Sequence, residues 1–180
     1  MRALRFLALA LLAAAASGQD ADWPEADPAD VVSIDAIVDA AYEAISGPAD
    51  EERDWDRFRS LYLPTSRLIP TGRAPDGTPF TREFTPDSYA ETVGQLFRES
   101  PMFRGRGFYE VEAAQHVERY GNIAHVWSTY ESRFDPGEEP YAMGINSIQL
   151  FWSGERWHIL SVTWQEESDD TPIPSAYLPE

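Results

Sequence analysis

The chain has 180 residues, with 14 basic against 31 acidic side chains and no cysteine. Every basic residue is an arginine. These counts exclude a disulfide scaffold, a thiol nucleophile, a zinc ribbon, a cysteine lipid anchor, Schiff-base chemistry and a P-loop lysine. A formal charge of −17 argues against a nucleic-acid partner, because no basic stripe is present to displace counterions from a phosphate backbone. With 43% apolar and 13% aromatic residues, the chain can bury a core, and its length suits one domain with short extensions.

Residues 1–18 read as a signal peptide. Arg2 and Arg5 form a basic start, residues 6–16 are uniformly apolar, and Ala16, Ser17 and Gly18 fit a small-residue cleavage site. Eleven apolar residues fall short of the ~20 that a membrane span needs. Cleavage before Gln19 removes two arginines and leaves 12 basic against 31 acidic groups, net −19. The expectation is an exported protein, periplasmic or secreted, that makes no membrane contact after cleavage.

Residues 19–32 are acidic, proline-broken and without period, and read as a linker. Ser33 caps a helix whose apolar positions are Ile34, Ile37, Val38, Ala41, Tyr42 and Ile45, ended by Gly47-Pro48. A second helix is expected from about Ala49 to Pro64, burying Trp55, Phe58, Leu61 and Tyr62. Short strands around the Asp76-Gly77 turn follow. Thr85-Pro86 starts a third helix to about Glu99 that buries Tyr89, Val93, Leu96 and Phe97. From residue 108 the apolar period becomes two, predicting strands over 108–119, 123–134, 144–152 and 156–166. Three helices before an antiparallel meander give an α+β plan over 33–167, with the helices on one face of a curved sheet. The acidic, proline-rich tail 168–180 is expected to lie extended, pinned by Ile173, Tyr177 and Leu178.

This order of elements, the stretch DWDRFRSLYLP and the closing GINSIQLFWSGERWHILSVTWQEE resemble the nuclear transport factor 2-like (SnoaL-like) superfamily. IAHVWSTYESR, GINSIQL, RWHILSVTWQ and PIPSAYLP together look most like its secreted bacterial members without assigned activity. The resemblance covers 33–179. It implies a cone-shaped α+β roll, with three N-terminal helices packed on a curved, mostly antiparallel sheet that encloses a pocket. Superfamily members include isomerases, dehydratases, cyclases, epoxide hydrolases and binding modules, so the fold alone names no reaction. No motif fixes a catalytic set on particular positions here.

Pairing the first two long strands through the Gly121-Asn122 turn places Glu112 opposite Glu131, Glu110 opposite Arg133, His116 opposite Trp127 and Glu118 opposite His125. All of these then share one face. Facing carboxylates would split their proton affinities, with His116 and His125 as proton carriers nearby. The ordinary reading of the same face is a solvated surface or a dimer contact. The other face collects Val111, Ala113, Val117, Ala124, Val126 and Tyr130 as core.

In the last hairpin a regular register puts Trp152, Trp157, Leu150, Ile159, Ile148 and Ser161 on one face. Ser147, Gln149, Phe151, His158, Leu160, Val162 and Trp164 fall on the other. Both faces are apolar and need cover, from a second copy in a homodimer or as the wall of a small-molecule pocket. Tyr62, Tyr130 and Asn146 are candidates to orient a ligand. Asp54 and Asp56 read as a solvated helix side. The three histidines lack close ligand spacing, so no metal is expected, and no glycine-rich motif suggests a dinucleotide cofactor. The function expected is small-molecule binding in the cone; the alternative is a cofactor-free isomerase, dehydratase or hydrolase using pocket acid–base groups.

Overall fold

Capping and burial decide where the helices lie. The computed structural model describes residues 23–74 and 76–179; the signal-peptide segment and the first linker residues lie outside them. A short α1 (Pro28–Val31) is capped by Asp27 and buries Val31. Trp23 ahead of it donates its Nε1–H to Tyr62 O at 3.1 Å, so the expected tether is docked on the core from that residue onward. In α2 (Ile34–Ile45), Ser33 accepts the Ala36 N–H, and Ile37, Val38, Tyr42 and Ile45 are buried.

The second expected helix begins later and ends sooner than its period suggested, as α3 (Trp55–Ser60) capped by Asp54. Residues 47–53 are held instead by Arg53. Its buried guanidinium donates to Ile45 O, Gly47 O, Pro48 O and Glu51 O at 2.6–3.0 Å. Leu61 and Tyr62 leave the helix for the sheet, where Ile159 N donates to Leu61 O.

Strand β1 (Tyr62–Arg73) is far longer than the sequence suggested, and it runs parallel to the last strand. Pairing is interrupted between Tyr62 and Arg67, where Pro64 lacks an N–H. Ser66 Oγ bridges the gap, donating to Ile159 O and accepting the Leu63 N–H. After β2 (Pro79–Thr81) comes α4 (Pro86–Glu99), where Thr85 and Ser88 form a capping box. It packs through Pro86, Ala90 and Gly94, and Leu96, expected inside, is 44% exposed.

Strands β3 (Tyr109–Tyr120), β4 (Ile123–Arg133), β5 (Ala142–Trp152) and β6 (Trp157–Glu166) form the meander. The sheet order is β2-β1-β6-β5-β4-β3, antiparallel except at β1–β6, with the helices on one face. The expected cone-shaped α+β roll is therefore observed. Among the described residues no helix is long and apolar enough to cross a membrane.

Both hairpins keep the expected register near their turns and lose it further out. In β3 the pairing shifts by one between Glu112 and Ala114, so Glu112 meets Tyr130 and Val111 meets Glu131. In β6 it shifts beside Leu160, so Ile148 meets Val162 and Gln149 meets Ser161. Each shift is a β-bulge, and each exchanges the faces of the residues beyond it. The expected pairs Glu112–Glu131, Glu110–Arg133 and Ile148–Ser161 do not form. Val111, expected in the core, is 45% exposed.

The tail lies against the outer face of the sheet. Tyr177 packs on Trp127, and Tyr177 O accepts the hydroxyl of buried Thr129 at 2.6 Å. Replacing Arg53 should be the most disruptive change outside the apolar core, because it strands buried carbonyls. We expect Arg53→Ala to lower stability by about 3 kcal/mol or more in urea unfolding, and Arg53→Lys to restore little of it, since an ammonium cannot span the fork.

Candidate functional site

The cone encloses a cavity of about 80 Å³. Its helical side is formed by Tyr42, Phe58 and Tyr89, and its sheet side by Tyr62, Glu110, Asn146, Val162 and Trp164, among others. Phe58 holds the aromatic wall together, with ring centroids 4.8 Å from Tyr62 and 5.3 Å from Tyr89. Tyr89 in turn meets Trp164 edge-on at 6.0 Å. Such pairs add about 0.5–1.5 kcal/mol each beyond area burial, so this wall is well fixed.

Glu110 reaches the cavity because of the bulge in β3. Ser46, which ends α2, anchors the strand there: its hydroxyl donates to Tyr42 O and accepts the Glu110 N–H at 2.9 Å. The Glu110 carboxylate accepts from Ser132 Oγ at 2.9 Å. Burial pushes its pKa up to about 7, against the opposing effect of the Ser132 hydrogen bond. A carboxyl titrating near neutrality can give or take a proton, and it stands among phenols that burial keeps protonated: Tyr42, Tyr62 and Tyr89 are all shifted upward.

A second carboxyl connects to the cavity indirectly. Asn146 Nδ2 donates to Tyr42 Oη at 2.9 Å, Tyr42 Oη and Ser128 Oγ lie 2.6 Å apart, and Ser128 Oγ donates to Glu112. Glu112 is pushed up to about 7, first by burial, with Asp39 and Asp35 adding to the rise and Ser128 opposing it. Among the described residues, no three His, Asp or Glu side chains converge as a metal-binding group.

The residues singled out from the sequence divide between the two faces of the sheet. Tyr62, Asn146 and Trp164 line the cavity. Tyr130 is buried on the same face, its hydroxyl against Gly144, where a Cβ would collide with it. Glu112 joins through Ser128. The other five point outward. His125 Nε2 pairs with Ser147 Oγ at 2.9 Å, Glu131 is ion-paired with Arg133, and Gln149 and His116 are exposed. The expected polar face of Glu112, Glu131, His116 and His125 is thus split by the bulge. Asp54 caps α3, and Asp56 pairs with Arg59.

Tyr42, Tyr89 and Glu110 were not among the candidates. The first two are indistinguishable by period from core residues, and Glu110 was given to Arg133 by the unbroken register. Two doubled apolar pairs, Ala113-Ala114 and Ile159-Leu160, interrupt the alternation at the two bulges and are the one local sign of the change of face.

No protein-family model matches the chain, and no curated protein matches it. Solved structures do. A protein of unknown function with a cystatin-like fold from Nostoc punctiforme superposes with a TM-score of 0.55 at 9% identity, covering 77% of this chain and 91% of that one. A nuclear transport factor 2-like protein of unknown function from Pseudomonas putida gives 0.54 at 11% identity, over 78% and 90%. A Bdellovibrio bacteriovorus protein gives 0.51 at 13% identity, over 75% of this chain and 40% of that one. At these identities the likeness concerns architecture alone: the chain has the nuclear transport factor 2-like, cystatin-like α+β fold.

Proposed function

We propose that this chain is an exported small-molecule-binding protein whose ligand sits in the cone cavity with Glu110 as its polar anchor. The observation that carries this reading is a desolvated carboxyl at an aromatic cavity wall whose other polar groups are neutral. Sites of this make-up, largely apolar with a few placed polar groups, suit small organic ligands. The ligand is not an anion, which a strongly acidic protein repels, and it offers a hydrogen-bond donor to Glu110. At about 80 Å³ the cavity is smaller than the ~300–1,000 Å³ of common ligand sites, so the occupant is a few heavy atoms or one end of a longer molecule.

Acid–base catalysis is the second reading, favoured by the position of Glu110 near pH 7 beside neutral phenols. A carboxyl that exchanges its proton at neutral pH suits isomerisation, dehydration or hydrolysis without a cofactor. Export rests on the arginines and apolar run of residues 1–18. A homodimer through the outer sheet face rests on Phe151 and Leu160, which are half-buried there.

Native mass spectrometry of gently purified protein should show a small-molecule adduct that Glu110→Gln loses, together with a dimer mass that Phe151→Glu halves. Absence of any adduct, with no ligand found by screening, overturns the binding reading. Material exported from a bacterial host should begin near Gln19 on N-terminal sequencing; an intact Met1 overturns export.

The raised Glu110 pKa also has a stability consequence. The folded protein holds this proton more tightly than the unfolded chain, whose carboxyl titrates near its ordinary 4.5. Stability from this group is therefore full below about pH 4.5, falls as pH rises towards 7, and is lost above it. Glu110→Gln should flatten the fall between pH 5 and pH 8, by up to about 3 kcal/mol in urea unfolding.

A further inference from the structure

A second pocket, of about 380 Å³, shares no lining residue with the cone cavity. The 48–53 loop brings Asp50, Glu51 and Glu52 to it. The end of α4 and the turn after it bring Arg98, Arg104 and Arg106, and Trp55 and Phe97 supply apolar surface between the two sets. Among the described residues, none of these three arginines forms an ion pair with any carboxylate, whereas Arg57, Arg59, Arg67 and Arg133 all do. Eight of the twelve described arginines lack such a partner, so what sets these three apart is the pocket they share with Asp50, Glu51 and Glu52. Three without one, on a pocket that also carries three acids, mean that opposite charges line the same space without neutralising each other.

The donors there are largely unused. Arg98 and Trp55 Nε1 have no hydrogen-bond partner among the described residues. Arg104 reaches Glu99 O only at 3.5 Å, and the Arg106 guanidinium lies over the Phe134 ring. Gly94 keeps two of these donors together. It is a buried glycine inside α4, where glycine weakens a helix, and a Cβ there would come within 3.3 Å of both Arg98 Nη1 and Trp55 Nε1. The missing side chain lets Arg98 and Trp55 close over the helix backbone at this point.

We infer that this pocket binds a small zwitterion with an apolar side chain, an α-amino acid or a short peptide. Its carboxylate pairs with Arg98 and Arg104, its ammonium faces the acids of the 48–53 loop, and its side chain lies on Trp55 and Phe97. A simple anion would meet three carboxylates and a net-negative protein, and a simple cation would meet three arginines. Only a ligand carrying both charges matches both sets of side chains.

Calorimetric titration of the mature protein separates these classes. The probes are L-phenylalanine, the dipeptide alanyl-phenylalanine, N-acetylphenylalanine and phenylalanine amide. At least one of the two zwitterions should bind, and each single-charge analogue should bind about tenfold more weakly or worse. Whichever zwitterion binds tighter decides between amino acid and peptide. Arg98→Gln should weaken binding at least about tenfold while keeping the melting temperature, because that side chain makes no hydrogen bond among the described residues. Gly94→Ala, which keeps every charge and favours the helix, should also weaken it by pushing Arg98 and Trp55 out of place. N-acetylphenylalanine binding as tightly as the zwitterions, or no saturable binding by either zwitterion up to about 10 mM, overturns the inference.

Discussion

One extra residue at Ala113 decides which side chains of β3 meet the helices. With regular pairing, Val111 would face the core while Glu110 and Glu112 faced water, an arrangement with nothing to offer a ligand. The bulge reverses this and turns two carboxyls inward, where each needs a partner. Ser132 and Ser128, both buried on the inner face of β4, are those partners. Hydroxyls on a core-facing strand would otherwise be a poor choice beside Val126 and Ile148. Each instead finds a buried partner in a β3 carboxyl, and Ser128 a second one in Tyr42. The bulge beside Leu160 acts in the same way on β6, bringing Val162 and Trp164 to the inner face and sending Ser161 outward. The cavity therefore rests on two departures from regular pairing, one in each long hairpin.

That dependence sets the boundary between what was legible in the sequence and what was not. Ser33 and Thr85-Pro86 mark helix starts through local chemistry, and both caps form as read. Tight turns at Gly121-Asn122 and Ser153-Gly154-Glu155 set the register beside them, so pairs such as Tyr120–Ile123 and Trp152–Trp157 follow directly. Register error then accumulates with distance from the turn, and one unrecognised bulge inverts every side chain beyond it. Asn146 and Tyr62 were found by residue type rather than by geometry. Glu110 escapes notice because an unbroken register pairs it with Arg133, where the structure pairs it with Ser132. The start of α3 differs for another reason: the Arg53 guanidinium gathers four nearby carbonyls and holds residues 47–53 out of a helix. The parallel pairing of β1 with β6 joins segments about ninety residues apart, and no local pattern encodes it.

Donor counting shows what the cavity presents to an occupant. When Glu112 is ionised, Ser128 gives it its one proton, so in the 2.6 Å contact with Tyr42 the phenol is then the donor. Tyr42 then accepts from Asn146 and has no proton left for a ligand. The chain running to Glu112 thus neutralises one phenol of the cavity. Tyr62 and Tyr89 differ: neither hydroxyl has a hydrogen-bond partner among the described residues, and burial keeps both protonated. They are the donors left for an acceptor atom of a ligand, while Glu110, when ionised, is the acceptor left for a donor atom. An occupant with one of each, such as an alcohol or an enolisable carbonyl, would satisfy all three groups at once. A purely apolar occupant would leave two phenols without a partner and a desolvated carboxyl with Ser132 alone, a costly arrangement away from water.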